Sequence, residues 1–188
     1  MSKSMIVTLA AAILIFSGSA LFGAVMISYN PEIGDVFMET LAEALQIEEL
    51  MDDPPAVLAL KLFINNLQAC IIIFLGGVTF GVLTAFVLAL NGFIVGIVAQ
   101  ISLEVQGALF VIAALVPHGI VELPALFIAG ALGFMLAGAL HREWNGDGDA
   151  ALEAFVYANT FAKTVVPLLA IAAVTEAFIT PAVILLVV

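Results

Sequence analysis

The chain has 188 residues, 64% hydrophobic and only 10% charged, with a mean hydropathy of +1.28. A soluble domain is nearer half apolar, so the composition leaves no room for a sizeable soluble domain and defines an all-α, polytopic membrane protein in one membrane domain. The formal net charge of −11 and pI of about 4.2 argue against nucleic acid as a partner and against a basic patch for anionic lipid.

The first apolar run follows Lys3 and spans about 5–28. Small residues at Ser17-Gly18-Ser19-Ala20 resemble a signal-peptide cleavage region. The apolar run nevertheless continues to Ile27, enough at about 1.5 Å per residue to cross a bilayer, which predicts a retained first span. The next segment, about 31–51, differs. Asn30-Pro31 reads as an N-cap with proline at the first helical position. Ile33, Val36, Phe37, Leu41, Leu45 and Leu50 then recur at helical spacing opposite Glu32, Asp35, Glu39, Glu43, Glu48, Glu49, Asp52 and Asp53, with no Lys or Arg. The spacing predicts an amphipathic helix on the membrane or capping the bundle, and its acidity favours packing on protein over anionic headgroups. Asp52-Asp53-Pro54-Pro55 ends it.

Residues 56–103 are apolar for about twice a single span, which predicts helices over 56–76 and 80–103 with a turn at Gly76-Gly77 and Gly81. Lys61 lies near a helix end, where its amine can snorkel. Asn65, Asn66 and Gln68 lie on the first of these helices, and Asn91 on the second. Asn65 and Asn66 point about 100° apart, so they cannot face one neighbour. Gly77, Gly81, Ala85 and Ala89 form a small-residue face for close packing. Cys70 is the single cysteine and reads as a small buried hydrophobe.

The segment Leu115-Val116-Pro117-His118-Gly119-Ile120-Val121-Glu122-Leu123-Pro124 carries the densest chemistry. His118 and Glu122 are four apart and share a helix face. Pro117 removes a backbone donor and Gly119 loosens the chain beside it, which predicts a break or kink at Pro117, in a broken or re-entrant helix with a half-helix over 108–116 and then a span over 118–141. Gly130, Gly133, Ala137 and Gly138 form that span's packing face, and Leu126 is expected to face lipid. Trp144 sits where an interfacial aromatic belongs. Asp147 and Asp149 have calcium-loop spacing, but the other ligand positions are not in register, so a solvated turn is expected. The last span, about 155–181, contains Glu176, a second intramembrane carboxylate. Five spans with Lys3, Arg142 and Lys163 on the inner side predict a multi-pass protein of the cell membrane with a cytoplasmic amino terminus; the acidic helix and Glu104 fall outside.

These motifs carry a resemblance. Phe63-Ile64-Asn65-Asn66-Leu67, Asn91-Gly92-Phe93-Ile94-Val95-Gly96, the Pro117–Pro124 element, and the ending from Val166-Pro167 to Thr180-Pro181 closely resemble the stage II sporulation protein M family. The resemblance runs from about Leu60 to Pro181. It implies a multi-span membrane protein. The family's name comes from a spore-former's engulfment machinery, where the member acts as a membrane scaffold for a peptidoglycan-degrading assembly. Members also occur in organisms that never sporulate.

Three functions follow. The first is a non-enzymatic membrane scaffold with no cofactor, whose expected partners are membrane lipids, a second copy (a dimer favoured) and other membrane or envelope proteins. No nucleotide loop, zincin motif or nucleophile elbow is present. The second is a transporter or channel-like carrier for a small solute, ion or lipid. It would use a polar cluster of His118, Glu122, Glu176, Asn66 and Asn91 beside the helix break at Pro117 and Gly119. The third, ranked last, is a metal site or intramembrane hydrolase with His118, Glu122 and Glu176 as ligands. The plainer alternative is that His118 and Glu122 hydrogen-bond and fix a kink, with Asn66 or Asn91 completing the network.

Overall fold

The computed structural model describes residues 3–44 and 53–186, apart from the side chains of Asp35, Ala42, Ala44 and His118. Helix α1 (Lys3–Tyr29) is followed by α2 (Pro31–Ala44), α3 (Pro55–Leu75), a 3-10 turn (Gly76–Thr79), α4 (Val82–Gln106), α5 (Ala108–Trp144) and α6 (Ala150–Val174). Helix α6 runs on through a π-helical turn (Thr175–Ile179) into the short α7 (Thr180–Ile184). No strand occurs among the described residues. Among the described residues, five helices are long and apolar enough to cross a membrane: Lys3–Tyr29, Pro55–Thr79, Val82–Gln106, Gly119–Trp144 and Ala150–Ile184.

The helix break expected at Pro117 is absent. Helix α5 continues through both Pro117 and Pro124, so no separate half-helix ends at residue 116. Each proline removes one donor, yet helix remains the conformation that satisfies the other backbone groups away from water. At 37 residues α5 is about 55 Å long, so its first turns extend past a hydrocarbon layer of about 30 Å. The acidic amphipathic helix is described as far as Ala44; its expected continuation over 45–51 lies outside the described residues. Asn30 turns its amide back to the Met26 carbonyl at 2.9 Å, closing α1, while its own carbonyl accepts from Ile33. Lys61 pairs with Asp53 at 2.6 Å. Lys163 stands thirteen residues into α6, about 20 Å from Ala150, and is exposed.

Backbone contact at glycine holds the bundle together. A Cβ on Gly92 would collide with the Phe16 carbonyl, and one on Gly96 with the Ala20 carbonyl, so α4 lies directly on α1. Gly23 of α1 returns the contact, its missing Cβ 2.5 Å from the Phe93 carbonyl. Gly77 meets the Gly133 carbonyl, and a Cβ on Gly133 would lie 2.6 Å from the Ile73 carbonyl, which ties α3 to α5. Without a strong hydrophobic drive between helices in lipid, such close approach supplies the association energy. Ring contacts fill the gaps: Phe16 meets Phe127 edge-on at 5.4 Å, and Phe74 stacks on Phe161 at 5.5 Å. Leu126 belongs to this core, 6% exposed, which corrects its expected lipid-facing position. Its helix is apolar all round, so no polar face marked the inside.

The turn between α3 and α4 is closed from both sides. Phe80 (φ 54°) and Gly81 (φ 86°) both take left-handed backbone, reversing the chain within two residues. The fully buried Thr84 donates its hydroxyl to the Ile73 carbonyl at 2.8 Å. Thr84→Val leaves that carbonyl without this donor and is expected to lower stability by about 1–3 kcal/mol, with Thr84→Ser close to wild type. Thermal unfolding in detergent checks this; equal midpoints for the two variants would remove the hydroxyl's role.

Candidate functional site

Helices α3 and α5 run parallel, and the Gly77–Gly133 contact sets their register. Asn66 and Glu122 each lie eleven residues ahead of that contact, so they stand level, about 16 Å along their helices from it. Leu62, one turn before Asn66, adds a second α3 side chain to the same face.

The third wall comes from α6 and the π turn. Pro181 has no N–H to continue regular bonding. Thr180 instead sends its backbone N–H to the Thr175 carbonyl five residues back, and its buried hydroxyl to the same oxygen at 3.4 Å. The widened turn changes the face that follows Val174 and carries Glu176. Such π turns recur at functional sites. Leu62, Asn66, Glu122, Ala172, Ala173 and Glu176 together line a half-enclosed cavity of about 170 Å³. Asn66, Glu122 and Glu176 are each partly buried. The two alanines keep the wall low, which leaves room beside the acids. Cys70, one turn past Asn66, is buried and within electrostatic range of Glu122.

Three of the five residues expected to cluster therefore meet at one cavity: Asn66, Glu122 and Glu176. Asn91 does not join them. It is absent from the cavity lining and donates its amide to the Val87 carbonyl of its own helix at 2.8 Å. Its backbone partner already satisfies a donor that would otherwise need a cross-helix acceptor. The backbone of His118 lies on α5 one turn ahead of Glu122, and its side chain lies outside the described residues. Gly119 has open space where a Cβ would stand, so close packing is not its reason. Among the described residues, no three His, Cys, Asp or Glu side chains are grouped to hold a metal ion. The π turn and the alanine pair were not read from the sequence; Pro181 after Thr180, with Ala172-Ala173 one turn before Glu176, is the signal that carried them.

Chemically, two carboxylates and an amide at one small cavity suit a proton or a cation. Charged carboxylates repel at short range, and a shared proton or bound cation relieves this. Asn66 offers both a donor and an acceptor to either form.

At the opposite, loop-bearing end of α5, Arg142 pairs with Glu153 at 2.6 Å, and Tyr157 donates to the same carboxylate at 2.6 Å. At the α2 end, Glu32 and Glu104 line one crevice with Gly34 and Ile101. The acidic helix and the Glu104 turn thus occupy the same end of the bundle.

The fold and the cavity define a polytopic helical membrane protein with acidic and amide side chains gathered within its spans. The chain belongs to the stage II sporulation protein M family, whose sequence profile matches residues 12–181 and so includes every residue of the cavity. It is similar to two uncharacterized proteins of Methanocaldococcus jannaschii. One is 30% identical over 125 residues, covering 66% of this chain and 65% of the relative. The other is 28% identical over 112 residues, covering 59% of this chain and 49% of the relative. The match thus spans between about half and two thirds of these relatives' own length. No solved structure matches the chain.

Proposed function

We propose that this protein is a non-enzymatic membrane scaffold, a five-span platform that organises other membrane or envelope proteins. The observation that carries this reading is the double backbone-to-backbone seal: α1 on α4 at Gly92 and Gly96, and α3 on α5 at Gly77 and Gly133. Contacts of that kind leave little freedom for one helix pair to rock against another, which suits a platform. Helix α2 supplies the docking face. It carries Glu32, Glu39 and Glu43 with no basic residue, and its crevice is acidic through Glu32 and Glu104. Its partner on this reading is a protein with a basic surface. Copurification of such a partner should be lost with Glu32, Glu39 and Glu43 changed to Gln, and kept with Glu122→Gln.

The cavity favours a second reading, a carrier for a proton or small cation. Purified protein in liposomes separates the two. The scaffold reading expects no proton or cation flux above empty liposomes; flux abolished by Glu122→Gln, with folding intact, would install the carrier in its place.

The proposed orientation has the amino terminus cytoplasmic and α2 outside, from the lack of Lys and Arg on α2. The native Cys70 is buried at 1% exposure, so it adds little background to thiol labelling. Glu43→Cys is expected to react with an impermeant maleimide in intact cells. Reaction only after permeabilisation would reverse the orientation.

A further inference from the structure

We propose that α3 is a self-association face, on which a second copy of this chain docks in the same orientation through Asn65 and Gln68. Both side chains are exposed on the outside of the bundle. They lie about 15 Å and 20 Å along α3 from Pro55, near the middle of the candidate span Pro55–Thr79. Among the described residues neither side chain forms a hydrogen bond. Most other polar groups in these helices behave differently; the exposed Ser17 near the middle of α1 does not, but it offers a hydroxyl rather than an amide. Thr8, Ser19, Ser28, Thr160, Thr164 and Thr175 each return a hydroxyl to a carbonyl of their own helix. Asn91 does the same with its amide, and Asn66 turns into the cavity.

Asn159 and Lys163 of α6 are also exposed, but their place differs. Phe161 stacks on Phe74, just ahead of the 3-10 turn, so Asn159 is level with that turn and not with Asn65 and Gln68. Among these, Asn65 and Gln68 present a pair of amides at the middle of one span.

The chemistry of the pair selects the occupant. Lipid tails offer an amide nothing. A carboxamide is both donor and acceptor, so a face bearing two of them is complementary to itself under a two-fold axis along the membrane normal. Asn65 and Gln68 are three apart and share one face of α3. Around them the face is apolar, with Leu60, Ile64, Ile72 and Leu75 exposed at 44–58%, which supplies packing on either side of the amides. The one cation on this face, Lys61, is already paired with Asp53, so two copies meet without net repulsion there.

The test uses the full chain in bilayers. Ile72→Cys, one turn past Gln68, is expected to give a covalent dimer on mild oxidation, whereas Leu14→Cys on the exposed side of α1 is not. Adding Asn65→Leu and Gln68→Leu to Ile72→Cys should lower the dimer yield at least tenfold; exchanging the two amides, Asn65→Gln with Gln68→Asn, should keep it. Wild-type protein diluted in liposomes should photobleach in two steps. Single-step bleaching of the wild type would overturn the proposal and leave the face to lipid or another protein. Equal cross-linking at residues 14 and 72, or a dimer unaffected by the two leucines, would overturn it as well. The wild-type bleaching and the comparison of residue 14 with residue 72 stand even if the leucine variant fails to fold.

Discussion

Gly96→Leu is expected to abolish recovery of folded, monodisperse protein from detergent extracts, and Gly133→Leu to come close to it. A side chain at Gly96 meets the Ala20 carbonyl, and one at Gly133 meets the Ile73 carbonyl and the Thr84 side chain. Neither neighbour is a flexible tip that can swing aside, so whole helices must separate. Overpacking costs about 1–3 kcal/mol where a core can adjust. Here it also breaks the small-residue contact that holds α1 to α4 or α3 to α5, against a total stability of roughly 5–15 kcal/mol. Gly81→Leu is strained for a different reason, the left-handed backbone at φ 86°. Leu126→Ala is costly too, about 2–5 kcal/mol, because Leu126 lies in the core. The controls are Gly18→Ala and Gly119→Ala, where a Cβ meets nothing within 4 Å. Both should stay within about 1 kcal/mol of wild type, since alanine favours helix. Size-exclusion profiles with thermal unfolding in one detergent decide the series. A Gly96→Leu variant as stable as Gly18→Ala would show that these helices do not touch as described.

Glu122→Gln and Glu176→Gln are expected to act on stability as a coupled pair. Both line one cavity of about 170 Å³, so the state of one carboxylate is set partly by the other. Whichever is neutralised first should change the unfolding free energy more than the second does, with a coupling of about 0.5–3 kcal/mol. Glu104 serves as a distant comparison: it is exposed and accepts from Gln100 at 2.7 Å. Glu104→Gln should add to either variant within about 0.5 kcal/mol. Strict additivity of the Glu122 and Glu176 variants would mean that the two acids do not share an environment.

Span number and helical class were legible in the sequence because they rest on local quantities. Apolar runs of sufficient length, punctuated by Asp53-Pro54-Pro55, Gly76-Gly77, Gly107 and the 145–149 turn, determine where helices cross and where they reverse. The rare polar residues inside those runs marked Asn66, Glu122 and Glu176 before any fold was known, since a polar side chain at depth needs a reason. Which way each helix turns was a different matter. In α1 and α5 nearly every position is apolar, so periodicity shows no inside and no outside. Leu126 therefore read as lipid-facing and is in the core, and Asn91 read as a cluster member and bonds its own helix. Pro117 read as a break and is carried inside α5, where it removes a single donor while the backbone on either side stays helical. The tertiary structure decided these points through contacts between residues far apart in sequence: Gly77 on Gly133, which places Asn66 level with Glu122, and the π turn at Thr175–Ile179, which carries Glu176 to the same cavity.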